Sequence, residues 1–307
     1  MGNNNGKGLM YAAFTASLWG FLAIALKVAV TGLDPVQVVW FRFTTAFLIL
    51  LTWTLIFRRS DLRIFLRPPL LLLIAALLLG LNYTGFISGV KFTSPSIAQV
   101  FIQIGPVGFA LSGIIIFRES VNWKHFLGFA MVLTGFGLFY SEQLTGINGS
   151  QEGFTKGILL ILGGGFAWSV FATLQKKLVT RYSTNQLNIF IYAFNALLLL
   201  PLAHPAEMAH LTGGNYLLLF YLGLNTVLAY GSLALAIKYT EANKVSVIIT
   251  LNPVITFISM SVLSSMDVSW ISPESFSILG IAGAFTALAG AITVIMAGRK
   301  KKTTADA

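Results

Sequence analysis

Cysteine is absent from the 307 residues, which excludes a disulfide framework, a thiolate metal site and a cysteine nucleophile in one step. Charge is scarce as well. Only 10% of the chain is Asp, Glu, Lys or Arg, well under the ~25% of a soluble domain, while 56% is hydrophobic. Such a chain cannot coat itself in polar surface, so its medium is the hydrocarbon of a bilayer. The charges it has are uneven: 20 Lys and Arg against 10 Asp and Glu give a formal +10. In a soluble protein that excess would point to nucleic acid. In a membrane protein it reflects basic residues gathered on the cytoplasmic side, and no nucleic-acid partner is expected.

A transmembrane helix takes about 20 apolar residues, and ten runs of that order stand between charges, Gly or Pro. They are Leu9 to Val30, Pro35 to Phe57, Leu70 to Val90, Ser96 to Phe117, Trp123 to Tyr140, Gly157 to Leu178, Asn185 to Ala203, Asn215 to Ile237, Val245 to Ser265 and Phe276 to Ala297. Uniformly apolar spans must be helices, since a barrel would show alternating segments of about ten residues. The first run is too long for a signal core and no small-residue cleavage site follows it, so it is expected to stay as span 1. The expected fold is all-α, with ten transmembrane helices and no room for a soluble domain. Both termini then share a side. That side holds Lys7, Arg58, Arg59, Arg63, Arg67, Arg118, Lys124, Lys176, Lys177, Arg181, Lys238, Lys244 and the tail Arg299 to Lys302, against only Lys91 and Lys156 opposite. Both termini are expected to be cytoplasmic.

The two halves of the chain match each other. YTGFISGVKFT from Tyr83 aligns with YGSLALAIKYT from Tyr230, pairing Tyr83 with Tyr230, Lys91 with Lys238 and Thr93 with Thr240. The same offset carries through Val100 and Val247 to Pro106-Val107 and Pro253-Val254. Trp19 and Lys27 have the same spacing as Trp168 and Lys176. The organisation expected is a first five-helix repeat over 1–140, a loop over 141–156, a second repeat over 157–298 and a basic cytoplasmic tail over 299–307. Five is odd, so the second repeat enters the membrane from the other side. Inverted repeats are the usual construction of secondary transporters, where two half-structures exchange conformations around one site.

Four stretches carry a family likeness: SLWGFLAIALKVAV in span 1, LDPVQVVWFRFTTAFLIL entering span 2, IGPVGFALSGIIIFRESVNWKHFLGFAMVLTGFGL through spans 4 and 5, and LNPVITFISMSVL in span 9. Over essentially the whole chain the sequence resembles the ten-span EamA-type members of the drug/metabolite transporter superfamily. The resemblance implies a carrier of small polar metabolites, amino acids among them, and often an exporter. It also implies a Glu at the cytoplasmic end of span 4, matched by Glu119, and a second after span 9. There the chain departs, because the repeat offset falls on Met266, with Asp267 next.

Polar residues inside the spans are the candidates for chemistry. Pro106 and Pro253 lie near the middles of spans 4 and 9, and each frees the carbonyl four residues earlier, at Ile102 and Ile249. They read as hinges beside a site or as static kinks. Gln103 and Gln99, and in the other half Thr250 and Ser246, share a helix face with those prolines. Asn252 precedes Pro253, and Asn82 and Tyr83 sit mid-span 3. Tyr221, Asn225 and Tyr230 punctuate span 8, and Asn188, Tyr192 and Asn195 mark one face of span 7. Some of these will be interhelical glue; the rest should line a cavity. Trp19 and Trp168 sit mid-span, away from the interfacial belts, as aromatic walls or large core residues. Arg42 lies about 10 Å below the outer surface, a depth at which charge is functional by default, either clamping a substrate carboxylate or holding a structural contact. Lys27, three residues from Val30, can snorkel outward. The candidate substrate site is therefore Trp19, Arg42, Asn82, Tyr83, Gln99, Gln103, Trp168, Tyr230, Thr250 and Asn252, with Pro106 and Pro253 as hinges.

No Asp or Glu falls in the middle of any span. This argues against a midplane acidic site for protons or sodium and against multiply charged organic cations as substrates. The glycines at 163–165 lack the Lys-Ser/Thr ending of a phosphate loop and read as close helix packing. No cluster suits a metal, a cofactor or a catalytic triad, so no enzyme is expected. The function expected is alternating-access transport of a small polar or amphipathic metabolite, such as an amino acid, across a bacterial cytoplasmic membrane, with the lipid bilayer as the other partner. A nucleotide-sugar or phosphorylated-sugar carrier and a passive channel are the competing readings. Monomer and homodimer both fit.

Overall fold

The computed structural model describes residues 2–117, 122–145, 151–240, 242–274 and 276–297, and among them the chain forms helices and no strand. Helix α1 (Gly2–Gly32) leads into α2 (Pro35–Phe57) through a capping box: the Val36 N–H donates to Asp34 Oδ1 at 2.8 Å and the Asp34 N–H to Gln37 Oε1 at 3.3 Å. With proline at its first position, where no N–H is needed, α2 starts and stops where its apolar run does. A 3-10 turn (Arg59–Phe65) precedes α3 (Leu70–Phe92). The fourth span is broken into α4 (Pro95–Phe101) and α5 (Ile104–Phe117), and α6 (Trp123–Thr145) follows.

The second half repeats this order. It runs α7 (Gln151–Leu178), α8 (Thr184–Ala203), a 3-10 turn (Pro205–His210), α9 (Gly213–Tyr239), the broken pair α10 (Ala242–Ile249) and α11 (Asn252–Ser265), and α12 (Ile278–Ala297). By length and composition nine helices among the described residues can cross a membrane. The tenth, α6, has polar ends but is 23 residues long, or about 35 Å, and lies along α12.

Two boundaries move. Helix α6 runs past Tyr140 to Thr145 and α7 begins at Gln151 rather than Gly157, so the expected 141–156 loop is mostly helix; an existing helix extends cheaply through polar residues. Glu119 and the tail 299–307 lie outside the described residues. After α11 the chain turns at Asp267, which adopts φ 49°.

The extensive packing joins helices of different halves: α6 with α12, α3 with α7, α1 with α9 and α2 with α8. Of the next contacts, α2 with α9 answers α3 with α8, and α1 with α11 answers α5 with α7. Exchanging the halves maps this pattern onto itself. Polarity is inside out relative to a soluble protein. Phe21, Leu48, Leu133, Phe166 and Leu197 are exposed, while Arg42, Gln99, Gln103, Asn195 and Thr256 are buried.

Glycine sets the α3–α7 distance. A Cβ on Gly85 would lie 2.7 Å from the Leu160 carbonyl oxygen, and one on Gly164 3.1 Å from that of Asn82, whereas one on Gly163 would meet nothing within 4 Å. Gly163→Ala is therefore expected to be neutral or to stabilise by up to ~1 kcal/mol, and Gly85→Ala to cost about 1–3 kcal/mol through overpacking. Thermal unfolding of the purified protein in detergent checks both; equal melting temperatures for the two variants would contradict this packing.

Candidate functional site

The two helix breaks define the centre of the molecule. At the first, the Gly105 N–H donates to the Ile102 carbonyl at 2.9 Å; at the second, the Leu251 N–H donates to Ile248 at 3.1 Å and the Val254 N–H to Leu251 at 3.1 Å. The carbonyl that Pro106 frees is thus taken by a tighter, three-residue bond. Both prolines fall in the first turn of a new half-helix, where a missing N–H costs nothing.

Around the breaks lies a cavity of about 80 Å³, measured as the space open to the centres of water-sized molecules, lined by Trp19, Arg42, Asn82, Tyr83, Gln99, Gln103, Pro106, Trp168, Tyr230 and Asn252. Leu22, Phe86, Ile87, Ile102 and Ile249 complete the wall. By this measure one water needs about 10–15 Å³, so there is room for about half a dozen waters or one small solute. Two candidates fall elsewhere. Thr250 and Pro253 are buried beside the cavity without lining it. The chain is interrupted at Thr250–Leu251 as it is at Ile102–Gln103, but there the equivalent positions Gln99 and Gln103 do line the cavity. The Ser246 side chain lies outside the described residues.

Repeat counterparts meet in this wall. The rings of Trp19 and Trp168 pack edge to face with centroids 6.2 Å apart, and Tyr83 and Tyr230 lie 5.8 Å apart. Trp19 also packs on Tyr230 at 5.5 Å, and Phe43 backs Tyr83 at 4.5 Å.

The polar groups are held by the backbone. Gln99 Nε2 donates to the Trp19 carbonyl at 2.6 Å and Asn82 Nδ2 to that of Gly164 at 2.9 Å. Gln103 Nε2 donates to Asn252 Oδ1 at 2.9 Å and to the Gln99 carbonyl at 3.1 Å, which links the two breaks. Its Oε1 is buried with no partner among the described residues. A buried acceptor left unpaired costs about 1–3 kcal/mol, so this oxygen is a place for a donor. Helices α5 and α11 begin beside Gln103 and at Asn252, and bring two positive helix ends to the same wall.

Arg42 is 2% exposed. Its Nε donates to Thr226 Oγ1 at 3.2 Å, and its Cζ stands 4.4 Å from the centre of the Tyr83 ring. The charged groups' place around it is taken by Tyr83, Tyr192, Tyr221 and Tyr230; among the described residues no acid pairs with it. Thr226, which holds the guanidinium and accepts a 3.5 Å bond from the Tyr83 hydroxyl, was not singled out in the sequence. Its one signal was adjacency to Asn225, on a helix already marked by Tyr230.

Two charged groups, Lys27 and Glu274, lie outside the cavity wall, near the end of α3 and the start of α4. Lys27 reaches the end of a span. Its Nζ donates to the carbonyls of Val90 at 3.1 Å, Lys91 at 3.2 Å and Thr93, the open C-terminal groups of α3. Glu274, from the α11–α12 connection, accepts the Ser96 N–H at 3.2 Å where α4 begins. Its other oxygen is enclosed with no partner among the described residues. Burial pushes the Glu274 carboxyl above the usual carboxylate range, against hydrogen bonds from Ser94 and Ser96 and the field of Lys27. Hydropathy places Glu274 outside the spans, and it lies in the α11–α12 connection against the first turn of α4.

Comparison with known proteins comes from three directions. The model of the EamA-like transporter family matches residues 6–141 and again 155–296. The chain is 32% identical to the "Uncharacterized inner membrane transporter YhbE" of Escherichia coli K12, over 97% of this chain and 96% of the relative. It is 30% identical to an "Uncharacterized transporter" of Haemophilus influenzae, over 93% of each. A crystal structure with 18% identity superposes with a TM-score of 0.67 over 97% of this chain and 98% of the other, which shows a shared fold.

Proposed function

The chain belongs to the EamA-like transporter family, and from that premise we propose that it moves small carboxylate-bearing metabolites, amino acids above all, by alternating access and in the outward direction. It is an integral multi-pass membrane protein, and its place is the bacterial inner membrane, the membrane named for its Escherichia coli relative. The observation that carries the substrate reading is Arg42: a buried guanidinium on the cavity wall with no acid partner among the described residues. A buried charge needs compensation, and a substrate carboxylate supplies it. The Gln103 acceptor and the faces of Trp19, Tyr83 and Tyr230 suit an ammonium group, so the wall offers both halves of a zwitterion. A nucleotide sugar fits less well, since its two phosphates would meet one cation in a space of about 80 Å³.

Efflux and uptake by purified protein in liposomes test this, screened over amino acids and their amides with and without a pH gradient. Amino acids should move and amides should not; equal transport of both would end the carboxylate reading.

The inverted-repeat organisation belongs to the same proposal. Its supports are the double match of one family model and the way the largest interfaces map onto one another when the halves are exchanged. With both termini cytoplasmic, a reporter active only in the cytoplasm should be active when fused after Ala307 and silent when inserted near Gly149. The reverse pattern would overturn the orientation.

A further inference from the structure

A second cavity opens between α2, α8 and α9. By the same measure it holds about 590 Å³. Arg58 and Lys238 line its mouth, both exposed, and among the described residues no acid lines it, though Asp61 accepts from Nδ2 of the lining Asn185 at 2.9 Å. Asn188 and Tyr192 of α8 and Ser232 of α9 form its inner wall. Asn188 is only 5% exposed and lines this cavity, and its amide makes no hydrogen bond among the described residues. Such groups are normally satisfied, and an amide can donate to an anion.

The inner wall leads to Arg42 in two steps. The Tyr192 hydroxyl donates to the Thr226 carbonyl at 3.3 Å, and the Thr226 hydroxyl accepts from Arg42 Nε at 3.2 Å. Tyr192 is 1% exposed and its ring stands 6.2 Å from Phe43; it lines the basic cavity and reaches the Arg42 of the central one through Thr226. Cations at the mouth of a cleft raise the local concentration of anions, and here the next cation inward is Arg42.

We propose that this cavity is the vestibule through which a carboxylate-bearing solute reaches Arg42 from the basic face of the protein, with Asn188 as a staging ligand and Tyr192 as the gate. The proposal rests on the reading of Arg42 as a carboxylate site.

The absence of cysteine makes the test direct. In inside-out vesicles a Ser232→Cys chain should react at least tenfold faster with a sulfonate-bearing thiosulfonate reagent than with its trimethylammonium analogue, after correction for their rates with free cysteine. Arg58→Gln with Lys238→Gln should remove that preference. A Leu22→Cys reporter in the central cavity should label about tenfold faster from the same face when Tyr192 is replaced by Ala; Tyr192→Phe, which keeps the ring, controls for folding and should label at the parent rate. Two results overturn the vestibule: equal rates for both reagents at Ser232→Cys, or reaction only with a membrane-soluble maleimide, which would mean that lipid fills the cavity. Labelling does not depend on transport. If the charge preference holds while liposomes carry no amino acid, the vestibule stands and the substrate reading falls; if the preference is missing, amino-acid transport still tests Arg42 by itself.

Discussion

Replacing Arg42 by lysine is expected to reduce transport of carboxylate solutes by about 10–100-fold while the protein still folds. Lysine keeps the charge but loses the planar fork that grips a carboxylate at two points, and each tenfold corresponds to about 1.4 kcal/mol. Arg42→Gln should go further and erase the preference for an amino acid over its amide. The stability readout separates this from a structural role. Breaking a buried ion pair costs several kcal/mol because the partner is left unpaired, but removing a buried charge that has no acid partner relieves desolvation. Arg42 has Thr226 Oγ1 and the Tyr83 ring as its contacts, so Arg42→Gln should unfold at or above the wild-type temperature. Low expression and low melting temperature in both variants, with carboxylate preference kept in whatever folds, would make Arg42 structural and leave the anion to the N-termini of α5 and α11.

Lys27→Met is expected to cost the folded state about 2–4 kcal/mol. It strips three carbonyls at the end of α3 of their charged donor, each such bond being worth about 1.5–3 kcal/mol in isolation and less where water reaches it, and it leaves Glu274 without a compensating field. Adding Glu274→Gln should restore part of the loss, giving a non-additive cycle; strict additivity would show that the two residues act independently. The pH dependence has a definite sign. A carboxyl whose pKa is raised by folding binds its proton more tightly in the native state. Its contribution to stability is therefore complete below the unfolded value of about 4.3 and is lost as pH rises through the higher folded value. Wild-type melting temperature should fall over that interval, and Glu274→Gln should flatten the fall. An unchanged slope in Glu274→Gln would assign it to another group.

Hydropathy located the spans because a bilayer imposes one requirement on every segment, and it did best where local chemistry agreed. Helix α2 occupies Pro35–Phe57, the whole of its apolar run, since Asp34 caps one end and Arg58 follows the other. The aromatic wall was legible because Trp19 and Trp168, like Tyr83 and Tyr230, recur at matching repeat positions, and a repeat brings its counterparts to the centre. Thr250 is buried beside the cavity and not on its wall, although its spacing from Pro253 equals that of the wall residue Gln103 from Pro106. Glu274 and Thr226 escaped for different reasons. One is placed against α4 by the path of a loop, which hydropathy does not describe, and the other is a hydroxyl among many in apolar helices, set apart only by the guanidinium that reaches it.

The crossing of the two halves has a consequence for biogenesis. Each major interface pairs an early helix with a late one, so the contacts that define the protein are distant in sequence, and such contacts form slowly. When the first five helices have been inserted, α3 still lacks α7, α1 lacks α9 and α6 lacks α12. The nascent half must wait in the bilayer with its glycine-notched faces and buried polar groups turned toward lipid. A five-helix fragment made alone should therefore be degraded or clump, whereas both fragments made together in one cell should find each other and rebuild the carrier from two chains.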